Sequence, residues 1–144
     1  MIGGCAGGGN GAGIRFSNAG GFGVIANYTY SDASSDNGDP VPGNSENTAN
    51  LTAYFENERF SARLAYNWRS KYKAGVDRGA SQHVDDMPSL AASVNVKLTD
   101  KLTLTFDALN LTNETIKMYA ENEDRPRAFY SNGRTFYLGL RGKL

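Results

Sequence analysis

Cysteine is all but absent. Cys5 stands alone in 144 residues, so no internal disulfide can staple the fold. Histidine is as scarce, with His83 the single one. One histidine, and one cysteine in a glycine-rich start, leave no credible Ser-His-Asp or Cys-His constellation, so the chain is not read as an enzyme and no cofactor is expected. Charge of one sign is also lacking: fifteen Lys and Arg balance fifteen Asp and Glu. Without a polybasic patch, nucleic acid is excluded as a partner. No window approaches the roughly 20 consecutive apolar residues of a membrane helix. That does not exclude a membrane crossed by strands, because in a β-barrel only alternate residues face lipid. Residues 1–5 (MIGGC) place a cysteine where a lipoprotein has one, but without the charged and apolar regions of an export signal.

Glycine, tyrosine and phenylalanine are plentiful instead, at 17, 8 and 7 residues. That profile suits strands and turns. Residues 1–21 are dominated by glycine and read as a flexible or degraded N-terminal segment. Residues 22–144 read as one all-β unit. Its clearest strand is the last, 134–144 (RTFYLGLRGKL), with Phe136, Leu138, Leu140 and Leu144 on one face and Thr135, Tyr137, Arg141 and Lys143 on the other. The same alternation occurs at 22–31, 50–55, 60–72, 90–98 and 102–111. The expected fold is an antiparallel up-and-down meander of about six strands, a segment of a transmembrane β-barrel.

Connections separate this fold from its rivals. Residues 56–59 and 99–101 are short and polar, whereas 32–46, 73–88 and 112–133 are long and rich in Asp, Asn, Ser and Gly. Short and long alternate, so in a meander every short turn falls at one end and every long loop at the other, as in outer-membrane barrels. Tyr28, Tyr30, Tyr66, Trp68 and Phe136 then lie toward the loop end, and Phe55 and Phe60 toward the turn end. Aromatics at both interfaces with aliphatics between form the expected girdles.

Three stretches make the chain resemble the C-terminal barrel portion of TonB-dependent outer-membrane receptors. They are FDALNLTNE at 106–114, GRTFYLGLRGKL at 133–144, and the order in which NYTYSDA at 27–33 and RLAYNWRSKY at 63–72 run into long loops. The chain departs from that family at Leu144 and Gly142, where an aromatic is usual. The resemblance implies barrels of about 22 strands with a plugged lumen. It implies active uptake of siderophores, cobalamin or oligosaccharides across the bacterial outer membrane, energised by an inner-membrane complex through a periplasmic coupling segment. Plug and coupling segment are not among these residues, so the expectation is a C-terminal fragment that does not transport alone. Its partners would be outer-membrane lipid, the rest of the barrel and the plug. The closing strand, with Phe136, Leu138, Leu140 and Leu144, would carry the barrel-assembly signal.

Candidate site residues follow from the strand pattern. Arg63, Asn67, Arg69 and Asp107 fall on the wet face and would line the lumen. Tyr119, Arg125, Arg127, Phe129 and Tyr130 crowd the last long loop, a mix of aromatic and guanidinium groups able to stack on a sugar or hold an anionic chelate. His83 with Asp85 and Asp86, and Asp36 with Asp39 and Glu46, lack metal-ligand spacing. Gly7 to Ala12 fits a dinucleotide fingerprint loosely, but no strand precedes it and no helix follows. Asn27, Asn50, Asn110 and Asn113 each begin an Asn-x-Thr sequence, as expected by chance in an Asn- and Thr-rich barrel. Two rivals remain: a soluble β-sandwich carbohydrate-binding module, and a small barrel closed by several copies of the chain.

Overall fold

The computed structural model describes residues 6–18, 20–34, 41–77 and 79–143. Eleven strands occupy them: β1 (Ala6–Ser17), β2 (Phe22–Ser34), β3 (Asn47–Glu56), β4 (Phe60–Arg69), β5 (Tyr72–Asp77), β6 (Ala80–Val84), β7 (Met87–Thr99), β8 (Leu102–Leu109), β9 (Thr115–Ala120), β10 (Pro126–Ser131) and β11 (Thr135–Gly142). Seven form a continuous antiparallel sheet in the order β1-β2-β3-β4-β7-β8-β11. The other four form a second sheet, β10-β9-β6-β5.

All six expected strands are in the seven-stranded sheet, the last described as far as β11 with Leu144 outside the described residues. The seventh is a correction. Residues 6–17, read from composition as a flexible segment, pair with β2 along their whole length, from Ala6 opposite Ser34 to Ser17 opposite Gly23. Glycine hides the alternation there, because only Ala12, Ile14 and Phe16 mark a face. The backbone ladder supplies what side chains do not.

A second correction concerns the long connections. Residues 73–88 and 112–133 read as loops, yet they carry β5, β6, β9 and β10. β6 pairs with β9, so excursions from two different hairpins make one sheet at the loop end. The strands are short and interrupted by Gly, Asn and Asp, so no single one alternates long enough to be read from sequence. The predicted strand 60–72 accordingly splits at Ser70 into β4 and β5.

Register makes the two faces of the large sheet explicit. Phe22 opposes Phe55, and Val24, Ala26 and Tyr28 oppose Ala53, Leu51 and Ala49. The same face continues through Leu64 and Tyr66 on β4, Ala92 and Val94 on β7, Phe106 on β8 and Leu138 on β11. Phe55 and Phe60 approach with ring centroids 6.2 Å apart at the turn end, and Phe106 stacks on Phe136 at 6.1 Å. The opposite face carries Asn27, Asn50 and Asn67 in register, then Arg63, Ser93 and Asp107 in register.

This apolar face is open. Leu138 is 75% exposed, and Phe16, Leu51, Leu64, Phe136 and Leu140 are exposed with it. No large side chain is fully buried among the described residues. A β-sandwich needs a second sheet about 10 Å away against that face. The four-stranded sheet does not supply it, since inter-strand contacts run along the two ladders. In water each bare leucine or phenylalanine forgoes roughly 1.5–3 kcal/mol of burial. The sheet thus presents one exposed apolar face and one polar face.

Two glycines fix the turn end. Gly23 is buried because the Tyr54 ring lies over it; a Cβ there would fall 2.2 Å from that ring. Gly21 adopts φ +81°, and a Cβ there would fall 1.8 Å from the carbonyl oxygen of Glu56, whose N–H donates to Gly21 O at 2.8 Å. Here the neighbour is backbone and cannot swing aside. Gly21→Ala is expected to destabilise the folded sheet by about 1–3 kcal/mol. The check is the urea midpoint of detergent-folded protein, and an unchanged midpoint would contradict the turn geometry.

Candidate ligand cleft at the loop end

The loop end is organised by Arg69. Its Nε–H donates to Ser45 Oγ at 2.6 Å, and its Nη2 donates to the carbonyl oxygen of Gly43. The guanidinium also lies 4.0 Å over the Tyr72 ring. A planar fork that pairs and stacks at once suits arginine and not lysine. Ser45 is buried by this clamp, and Gly43 N–H donates to Lys73 O at 2.7 Å, so the first long connection is tied to β5.

The four-stranded sheet has a small core of its own, with Val84, Tyr119 and Ala120 buried. His83 stacks on Tyr119 with centroids 5.6 Å apart and planes 15° apart. Asp85 receives Lys117 at 4.0 Å, and Glu121 receives Arg125 at 3.1 Å. Burial pushes the Tyr119 phenol above its ordinary value, and the nearby carboxylates of Asp85 and Glu123 push it the same way.

Between the two sheets lies a cleft of about 620 Å³. Asp32, Glu46 and Glu121 bring acids to it, Lys71 and Lys73 bring cations, and His83 and Tyr119 form its aromatic wall. The volume is that of a small-molecule site, which typically runs about 300–1,000 Å³. Its lining also carries hydroxyl and amide groups from Ser34, Asn44, Asn47 and Ser70.

Arg63, Asn67, Arg69 and Asp107 share the polar face, and Arg63 and Asp107 both oppose Ser93. Arg69, however, spends its fork on the loop clamp. Of the five residues expected to form one contact loop, Tyr119 lines the cleft. Arg125 is tied to Glu121. Phe129 and Tyr130 are successive residues of β10, so they project from opposite faces and are both exposed. Arg127 is likewise on β10 and is not among the cleft residues. Phe136, Leu138 and Leu140 lie on the open apolar face. Asp36, Asp39 and Cys5 lie outside the described residues. Lys71, Lys73 and Asp32 were not legible as site residues, because it takes the β2-β3-β4 ladder and the Gly43–Lys73 hydrogen bond to bring their segments together. Asp85 and Asp86, near His83 in sequence, are spent locally: Trp68 Nε1–H donates to Asp86 at 3.3 Å, and Asp85 accepts the Asp86 N–H.

Two faces of opposite character, short turns at one end and a folded loop assembly at the other accord with the family comparison. Residues 7–111 match the family described as TonB dependent receptor-like, beta-barrel. The chain belongs to that family. No curated protein and no solved structure matches it. The receptor-family match takes in nearly all of β1, together with β5 and β6, so the glycine-rich strand and the first loop excursion fall within the barrel domain. It ends at Leu111, before β9, β10 and β11; β11 pairs with β8, β9 pairs with β6, and β10 pairs with β9.

Two outcomes check the loop assembly. Arg69→Ala is expected to release the first connection, so that a glutamate-specific protease cleaves faster after Glu46 in folded protein; unchanged cleavage would contradict the clamp. The raised Tyr119 phenol fixes the sign of an alkaline effect. The folded state favours the neutral form, so the contribution to stability is complete below about pH 10 and is lost as pH rises through the folded value. Tyr119→Phe is expected to flatten the alkaline loss of the four-stranded sheet, followed by circular dichroism.

Proposed function

We propose that the chain is part of the wall of a TonB-dependent receptor in the bacterial outer membrane. The receptor takes up a scarce nutrient, a siderophore, cobalamin or an oligosaccharide, and this chain does not transport it alone. The carrying observation is an open seven-stranded sheet with one continuous apolar face and one polar face. An open sheet edge in lipid leaves backbone groups unpaired at several kcal/mol each, and single-chain barrels begin at about eight strands. β1 and β11 are those edges, so further strands must pair with them.

Parity says what kind of strands these are. Six antiparallel steps lead from β1 to β11, so the two edge strands run in the same direction. Copies of the chain inserted with one orientation would meet β11 to β1 in parallel at every seam. An all-antiparallel barrel instead needs an odd number of strands between β11 and β1. This favours completion by other receptor strands over closure by identical copies. The polar face then lines a lumen occupied by the plug, the apolar face meets outer-membrane lipid, and the cleft at the loop end offers substrate its first contact. The inner-membrane energy-coupling complex acts through the receptor's periplasmic segment. The role is transport, with no reaction at the cleft.

Expressed alone, the chain is expected to be insoluble in buffer and to enter solution only with detergent. A monodisperse, cooperatively melting protein in plain buffer overturns the proposal and returns the soluble carbohydrate-binding reading.

A further inference from the structure

The apolar face is not smooth. Across β1, β2 and β3, small and large residues alternate from strand to strand: Ala12 opposes Tyr28, which opposes Ala49, and Ile14 opposes Ala26, which opposes Leu51. The three alanines floor a hollow of about 330 Å³, rimmed by Ile14, Tyr28, Leu51 and Tyr66. It lies toward the loop end, where the Tyr28 hydroxyl donates to Asn47 Oδ1 at 2.5 Å and marks the polar boundary.

We propose that this hollow seats one acyl chain of a membrane lipid, with the lipid's ester region at the tyrosine belt. The inference rests on the membrane reading of the apolar face, with which the hollow is continuous. Its lining argues against a peptide occupant. Asn27 and Asn50 also border it, but by register they alternate with Ala26, Tyr28, Ala49 and Leu51 and belong to the other face, so the side chains of this face present hydrocarbon with the Tyr28 hydroxyl at one end. A strand or loop seated there would bury backbone amides without partners at several kcal/mol each, whereas an acyl chain has none to satisfy. A hollow of this size also holds little more than a single flexible chain, well short of a helix about 10 Å across.

Trp68, the single tryptophan, opposes Ala49 and so stands beside the hollow as a reporter. The full chain is reconstituted into phosphatidylcholine vesicles with acyl chains brominated at mid-length, and Trp68 emission is read. Ala26→Phe fills the hollow, and Ala62→Phe adds the same bulk elsewhere on that face. The expected result is strong quenching in the parent chain and in Ala62→Phe, with part of it lost in Ala26→Phe. A lipid retained through detergent exchange, seen by native mass spectrometry, is expected in the first two and lost in the third. Equal quenching and equal retention in all three overturn the seat while leaving the membrane reading standing. Absence of quenching in all three overturns both.

Discussion

Every peptide group in this sheet must find its partner on the neighbouring strand, and that constraint organises the rest of the molecule. No helix or packed core relieves it among the described residues. The ladders run unbroken from β1 to β8 and β11 apart from one irregularity between Lys97 and Thr99. Side chains are then free to differ completely between the two faces. One face is hydrocarbon with aromatic edges; the other carries amides, hydroxyls and charges. A soluble domain of this length draws its stability from burying apolar area. Here the apolar area is exposed on one face of the sheet, and the proposed membrane wall would supply both the apolar medium and the missing edge partners.

The alternating strands were legible because period two survives in sequence wherever a strand has one greasy face. Phe22 to Tyr30 and Phe60 to Trp68 keep an apolar residue at every second position, with only Ile25 and Ala65 carrying apolar side chains at the positions between. The same logic failed at β1, where glycine removes the side chains that would show it. It failed again in the loops, where β5, β6 and β10 have five or six residues each and β5 and β10 carry irregular registers. The polar-face residues Arg63, Asn67, Arg69 and Asp107 were readable from parity alone. The cleft was not, since it depends on which loops meet in space. Arg69 shows the limit most clearly. Its face was predictable, but its partners, Ser45 and Gly43, are two dozen residues upstream in a loop with no periodic signal.

Charges of both signs meet in the cleft. Asp32, Glu46 and Glu121 line it together with Lys71 and Lys73. Ser34, Asn44, Asn47 and Ser70 add hydroxyl and amide groups, so the lining presents both donors and acceptors. The buried Tyr119 and its stacked His83 give that wall rigidity.

The stitching of the loop end has a mechanical consequence. The first connection is bonded to the second through Gly43 and Lys73, and the second to the third through Ser81 and Glu121 and through Asp85 and Lys117. Three connections that emerge from separate hairpins thus share one hydrogen-bonded fabric. Displacing one of them strains its hydrogen bonds to the next, so in the proposed receptor the described parts of the three would shift together rather than singly.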